Sequence, residues 1–347
     1  MRDSCLKTKR YSLSKRNSDR AGLREVAAAA GVSMMTVSRA IRGIEGVSDK
    51  KRAEILRVAK RLNYSPNLNA RSLVAEASDL VGISLPTLYN DVFAGMLAGM
   101  RNTITNAGFA TVLDTTNYDL DVELDWVQRV LSWRPAAMVL TGVHHHPELR
   151  DTLRQAEIPT LEIWDVTADP IDLCVGLDHR NAGLVAGNYA RKLGYKRPAF
   201  VGAPRGIDLR AEKRVEGLRT AFDTHLPAER VDDPNSYAAG AEGVRRLLDR
   251  DPRPDVLFFL NDHLAFGGMM AAQAAGLDVP GDIGIVGFNA LDLTTALPVA
   301  LTTIQTPRRQ IGVTGARNLL ARIKGLSPDR TVQLPVELLQ GATTRLQ

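Results

Sequence analysis

Two arginines, Arg210 and Arg214, are of a type and spacing that could bind a charged ligand. They stand four residues apart, so their side chains share one face of a helix. Paired guanidinium groups can hold a carboxylate through parallel hydrogen bonds. Such a pair is suited to an organic anion, although spacing alone does not identify a ligand site. In the alternative, Arg214 pairs with Asp165 or Glu216 and the ligand is neutral.

The remaining patterns argue against an enzyme. Residues 144–146 are consecutive histidines, whose side chains cannot converge on one ion in a regular element, so we expect a polar loop at the mouth of a cleft instead of a metal site. The sequence contains no phosphate-binding loop, dinucleotide fingerprint or nucleophile elbow. Cys5 and Cys174 are too few and too distant for a disulfide framework or a cysteine metal site. We expect no catalytic residues, metal or cofactor.

Residues 23–42 have the spacing of a helix–turn–helix. Small and apolar residues recur at helical spacing up to Ala30, and Gly31 suits the left-handed position that ends a helix. Ser33 is a natural N-cap for the next helix. Two helices joined by so short a turn predict a motif whose second helix lies in the DNA major groove. An ordinary hairpin of two helices is the alternative.

The distribution of charge favours DNA binding. Residues 1–78 contain 17 Lys and Arg against 7 Asp and Glu, whereas the rest of the chain carries a net charge of −5. A basic N-terminal region on a mildly acidic body is typical of a nucleic-acid-binding module attached to another domain.

The N-terminal region divides into further segments. Residues 1–20 are polar and lack periodicity, which predicts a disordered basic arm. Ser48 caps a third predicted helix, and the helices together form a compact DNA-binding domain over residues 21–65. Residues 66–78 are predicted to be a hinge helix and linker, which is marginal alone because helices under ~12–15 residues are unstable in water.

From residue 79 to residue 347, apolar strands alternate with helices. This pattern predicts an α/β body of two doubly wound subdomains with parallel sheets. We expect the N-subdomain to span about 79–177 plus 307–332, and the C-subdomain about 178–306 plus 333–342. A cleft between them would place ligand-binding groups at the carboxyl ends of the strands.

The ordered set of motifs resembles the LacI/GalR family of bacterial transcription regulators, from about Leu23 to the C-terminus. The most specific matches are Val26-Ala27, Ala30-Gly-Val-Ser33, Thr36-Val-Ser-Arg39, Val47-Ser48, Leu62-Asn-Tyr-Ser-Pro-Asn67, Gly194-Tyr-Lys-Arg197, Asn261-Asp262, Gly287-Phe288 and Leu301-Thr-Thr-Ile304. Residues 85–93 and 131–133 are most similar to regulators of gluconate and ketogluconate use. The resemblance implies a periplasmic-binding-protein-like body.

The resemblance also implies a set of DNA contacts. Arg39 would hydrogen-bond a guanine and Met35 would contact thymine methyl groups, whereas Met34 either contacts DNA or packs against the turn. Leu73 would enter the minor groove, contact the partner's hinge helix, or both. Hydroxyl and ammonium groups would bind phosphates. The implied DNA-binding residues are Ser33, Met34, Met35, Thr36, Ser38, Arg39, Ser48, Lys50, Lys51, Tyr64, Asn67, Ala70 and Leu73.

For the ligand, the resemblance implies a cleft between the subdomains. The implied effector-binding residues are Phe93, Thr141, Asp165, Arg210, Arg214, Tyr237, Asn261 and Asn289. Relatives that bind neutral sugars usually carry aspartate at the position of Asn289. Removal of that negative charge, together with the two arginines, favours a sugar acid such as gluconate or 2-ketogluconate. A neutral sugar or a purine-like ligand is the alternative.

These expectations describe a repressor that binds a pseudo-palindromic operator as a homodimer and is controlled by its effector; activation or co-repression is the alternative. The N-terminus lacks the apolar segment of a signal peptide, and no run of ~18 apolar residues predicts a membrane span. We therefore expect a cytoplasmic protein. A sugar-binding protein without a role in DNA binding is disfavoured, because it would lack the basic N-terminal region.

Overall fold

The computed structural model describes residues 21–64, 78–89, 91–224, 226–296 and 299–346. The chain divides into two compact units, Met1–Ser78 and Asp79–Gln347. The predicted arm at 1–20 and most of the predicted hinge segment, with Asn67, Ala70 and Leu73, lie outside the described residues. In the part of the chain that is described, no helix has the length and apolar character needed to cross a bilayer.

The N-terminal unit contains helices α1 (Leu23–Ala30), α2 (Met34–Arg42) and α3 (Asp49–Arg61). Gly31 ends α1 in the left-handed conformation, with φ 63°. The Ser33 hydroxyl then accepts a hydrogen bond from the Thr36 amide at 3.1 Å and caps α2. Val26, Val37 and Ile55, one from each helix, are fully buried in a common core. The predicted helix–turn–helix is confirmed.

The first half of the body is a parallel sheet with helices. Its strands are β1 (Leu80–Leu85), β2 (Ala110–Thr115), β3 (Ala137–Thr141), β4 (Thr160–Trp164), β5 (Leu173–Gly176) and β11 (Thr331–Gln333). Its helices are α4 (Asp91–Asn106), α5 (Leu120–Leu131), α6 (Pro147–Gln155) and α12 (Arg308–Ile323). The strand order is β11-β5-β4-β3-β1-β2, and α12 packs against α4, β4 and β5.

The second half repeats this architecture. Its strands are β6 (Pro198–Gly202), β7 (Ala228–Arg230), β8 (Val256–Phe259), β9 (Gly284–Asn289), β10 (Thr302–Gln305) and β12 (Glu337–Leu339). Its helices are α7 (His179–Lys192), α8 (Leu209–Phe222), α9 (Tyr237–Leu248), α10 (Asp262–Ala274) and α11 (Leu293–Ala296). The strand order is β12-β10-β9-β8-β6-β7. The chain passes between the halves after β5, after β10 and after β11.

Several strands differ from the prediction. The sequence predicts one strand over 334–339, but only Glu337–Leu339 is a strand, β12 of the second sheet, and it is antiparallel to β10. Residues 334–336 connect it to β11 of the first sheet. Strands β5, β7 and β10 are not predicted at all. In β10 the apparent polarity is misleading, because Thr303 is buried and its hydroxyl donates to the Asp262 carboxylate at 2.6 Å.

Candidate functional site

The exposed side of α2 carries the side chains expected to contact bases. Met35 is 66% exposed and Met34 is 47% exposed, whereas Val37 on the opposite side is fully buried. Arg39 is exposed as well. The exposure of Met34 argues against its packing in the core. The α2 surface is therefore available to a groove-sized partner.

The residues expected to bind phosphates differ in their surroundings. Lys50 is exposed, and the Ser48 hydroxyl caps α3 by accepting from the Lys51 amide at 3.4 Å. The Lys51 ammonium donates to the carbonyl of Ala30 at 3.3 Å and to Glu54 at 3.0 Å. Lys51 therefore also ties α3 to the end of α1. The other candidates in this unit, Thr36, Ser38 and Tyr64, are half-buried.

A cavity in the body opens where strands β1–β4 of the first half end. Its enclosed volume is about 170 Å³, and about 730 Å³ when the open mouth is included. The wall brings together Thr141, Asp165 and Arg210 from the expected set. The other wall residues are Pro86, Thr116, Tyr118, Asp119, Leu120, Glu123, Gly142, Val143, His144, Gly206, Ile207, Asp208 and Leu209.

Arg210 lies at this wall with one donor unused. Its Nε donates to Asp208 Oδ1 at 2.8 Å, and its guanidinium carbon lies 5.8 Å from the centre of the Phe93 ring and 5.5 Å from that of Tyr118. Its Nη1 is buried and has no hydrogen-bond partner among the described residues. Burial alone would raise the pKa of Asp208, but Arg210 and Arg214 outweigh it and lower that pKa to about 2. The Asp208–Arg210 pair therefore stays ionised.

Arg214 lies behind Arg210 and outside the described wall of the cavity. Its guanidinium carbon is 4.2 Å from the centre of the Phe288 ring, and its Nη1 donates to His179 Nδ1 at 3.0 Å. Burial and the positive charge of Arg214 hold the pKa of His179 well below its usual range. The imidazole is therefore neutral, and its Nε2 donates to the Trp164 carbonyl at 2.9 Å.

Asp165 pairs with a lysine that the sequence analysis missed. Lys213 Nζ lies 2.6 Å from Asp165 Oδ2, so the ion pair considered for Arg214 is formed by its neighbour instead. The Asp165 side chain is only 4% exposed. Lys213 lies on α8 three residues after Arg210, and this helical spacing was the signal that could have identified it.

The predicted polar loop at 144–146 is wrong for its central residue. His145 is buried, with Nδ1 2.6 Å from Glu123 Oε2 and Nε2 3.5 Å from Glu162 Oε1. Burial would lower the pKa of His145, but the hydrogen bond to Glu123 and the negative charges of Glu123 and Glu162 raise it to about 9. His145 is therefore a cation beneath the cavity, whereas His144 is exposed and lines it.

The other expected effector residues lie away from the described cavity wall. Phe93 is buried edge-on to Trp164, and Tyr237 is 43% exposed. Asn261 is buried and caps α10, accepting from the Leu264 amide at 3.0 Å. Asn289 is buried with a positive φ of 106°, and its Oδ1 accepts from the Thr306 hydroxyl at 3.3 Å.

The charges around the cavity are therefore balanced in pairs. Asp165 pairs with Lys213, Asp208 with Arg210, and Glu123 with His145. The remaining wall carboxylate, Asp119, is exposed and caps α5. Such a wall does not repel an anion, and the spare Arg210 donor can bind one. Within the described residues, no group of three or more His, Cys, Asp or Glu side chains is arranged to hold a metal ion.

Comparison with known proteins gives the family. Residues 22–67 match the profile described as bacterial regulatory proteins of the lacI family, and residues 78–342 match the one for periplasmic binding proteins and the sugar binding domain of the LacI family. The chain belongs to the LacI family. It is a DNA-binding transcriptional regulator, and its relatives are regulators rather than enzymes.

Individual relatives support this assignment. The chain is 33% identical over 308 residues to the HTH-type transcriptional regulator GntR of Escherichia coli K12, covering 88% of this chain and 92% of that protein. It is similar to a LacI-family transcriptional regulator from Silicibacter pomeroyi, with a TM-score of 0.87, 34% identity and coverage of 93% and 99%. The Lac repressor dimer bound to operator and the anti-inducer ONPF gives a TM-score of 0.80, 25% identity and coverage of 93% and 98%.

Proposed function

We propose that this protein is a repressor whose affinity for a pseudo-palindromic operator is controlled by a sugar acid, such as gluconate or 2-ketogluconate, bound between the two halves of its body. The observation that carries the choice of an acid is the buried Nη1 of Arg210, a donor without a partner among the described residues, at the wall of a charge-balanced cavity. A carboxylate accepts from this cationic donor with a charge on both partners, whereas a neutral sugar hydroxyl brings no charge of its own.

The DNA-binding part of the proposal depends on α2. Its exposed Arg39 can hydrogen-bond O6 and N7 of guanine, a contact worth ~1–3 kcal/mol of discrimination between bases. The Lac repressor, which shares this architecture, is known as a dimer bound to operator. We extend that arrangement to this protein, which makes the half-sites of its operator symmetric.

Control by the effector requires different affinities in two states. An acid that binds one arrangement of the halves more tightly shifts the population toward it, and the operator affinity changes by the same coupling factor. In this proposal, the acid-bound state is the one that spaces the N-terminal units poorly for the operator, so the acid weakens DNA binding.

The test is calorimetric titration with matched ligands, followed by DNA binding. Gluconate, 2-ketogluconate, glucitol and ribose are titrated into the full-length protein, and fluorescence anisotropy then measures its affinity for promoter DNA with and without each compound. We expect an acid to bind about tenfold more tightly than the neutral compounds, a difference of ~1.4 kcal/mol, because the carboxylate adds a second charge to the hydrogen bond with the guanidinium. Tighter binding of ribose or glucitol would refute the acid effector.

A further inference from the structure

The ion pair of Lys213 and Asp165 joins the two halves of the body. Lys213 lies on α8 of the second half, and Asp165 directly follows β4 of the first. Their Nζ and Oδ2 atoms are 2.6 Å apart, and the side chains are 36% and 4% exposed. Because Asp165 also lines the cavity, its charge is close to any ligand bound there.

Lys213 forms the direct ion pair with Asp165, whereas Arg210 and Arg214 act on its charge from a greater distance. The other wall carboxylates of low exposure have cations of their own, Arg210 for Asp208 and His145 for Glu123. Among the described residues, the second oxygen of Asp165 accepts a hydrogen bond from the backbone amide of Val166, at 2.8 Å. Loss of the Lys213 ammonium would therefore leave a buried negative charge at the wall, without its ion-pair partner.

We propose that Lys213 determines the charge of the ligand that this cavity accepts; the inference rests on the proposed function. With the ammonium in place, Asp165 can accept a ligand hydroxyl without repelling a carboxylate held by Arg210. Without it, Asp165 repels the carboxylate but still accepts a hydroxyl of a neutral polyol. Lys213 is thus a specificity-determining residue, acting through Asp165.

The test uses D-gluconate and D-glucitol, which differ only in a carboxylate replacing a terminal hydroxymethyl group. Calorimetry on the full-length protein measures the ratio of their affinities for the wild type, Lys213→Met, Asp165→Asn and the double variant. In Lys213→Met we expect the preference for gluconate to fall by roughly tenfold or more, as for like charges a few ångströms apart in a partly buried site. The double variant should recover the preference, because the carboxylate charge is removed with the cation.

The controls separate this inference from the proposed function. Lys192→Met, the same replacement at an exposed site in the last turn of α7, should leave the ratio unchanged. An unchanged ratio in Lys213→Met, or no recovery in the double variant, overturns the inference and leaves the proposed function standing. If the Lys213→Met variant does not fold, Asp165→Asn still tests the inference. A lowered preference of Asp165→Asn for gluconate over glucitol overturns it. A wild type without preference for gluconate instead refutes the acid effector itself.

Discussion

Replacement of His145 by glutamine should remove a large pH-dependent contribution to the stability of the body. The imidazole is fully buried and its pKa is raised to about 9 by Glu123 and Glu162, against 6.5 in the unfolded chain. Because the folded state holds the proton more tightly, the stabilisation is complete below the unfolded pKa and is lost as the pH rises through about 9. At 1.36 kcal/mol per pKa unit it amounts to ~3 kcal/mol.

The assay is guanidinium-induced unfolding followed by tryptophan fluorescence. All 3 tryptophans, Trp126, Trp133 and Trp164, belong to the half of the body that contains His145. Between pH 7 and pH 8.5, the free energy of unfolding of the wild type should fall by ~2 kcal/mol more than that of His145→Gln. Titrations of groups remote from His145 occur in both proteins and cancel in this difference.

A matched control is available next to the mutated residue. His144 is exposed, so His144→Gln should follow the pH dependence of the wild type. The reasoning is refuted if His145→Gln and the wild type lose stability in parallel over this range, because the imidazole would then be neutral in the folded state.

Three further predictions concern the ligand, the DNA and the fold. Arg210→Met should weaken gluconate binding about tenfold or more, because a charge-assisted hydrogen bond is lost. Anisotropy should show an unchanged affinity for the operator in the absence of effector. An unaltered gluconate affinity would contradict the proposed role of Arg210 in the site. Arg39→Ala should reduce discrimination at one guanine of each half-site by ~1–3 kcal/mol, measured with single-base operator variants, whereas Lys60→Ala on α3 should not. Gly31→Ala should destabilise the N-terminal unit by ~1 kcal/mol, because the backbone φ is +63° there, a conformation that alanine adopts only with strain. The added Cβ meets nothing within 4 Å, so backbone strain is the only change. Thermal unfolding measures this effect, and an unshifted transition would rule it out.

Much of the fold could be predicted because the signals are local. Gly31, Ser33 and Ser48 mark the ends of helices through the conformations and hydrogen bonds that their own residue types favour. The strands β5, β7 and β10 that sequence reasoning missed are only three or four residues long, too short to give a clear periodic signal. The pairing of β11 also depends on a distant partner. β11 is only three residues long and pairs with β5, more than 150 positions earlier in the chain.

The candidate site, too, could be predicted only in part, as far as its signals are local. The spacing of Arg210 and Arg214 correctly indicated a common helix, but their different roles arise from neighbours that the spacing does not reveal. His179 and Phe288 engage Arg214, whereas Asp208 leaves Arg210 with a free donor at the cavity. The cation character of His145 likewise depends on glutamates that only the folded chain brings near.

The passage of the chain between the halves has a consequence for biosynthesis. Strand β11 completes the first sheet and helix α12 covers it, but both follow nearly the whole second half in the sequence. During synthesis, the first half therefore emerges from the ribosome without its covering helix. Helix α12 reaches β4 and β5 only near the end of synthesis. Until then the apolar face of β4 and β5 must be kept from aggregation, so nascent chains truncated before residue 308 should need chaperones to a greater extent than full-length chains.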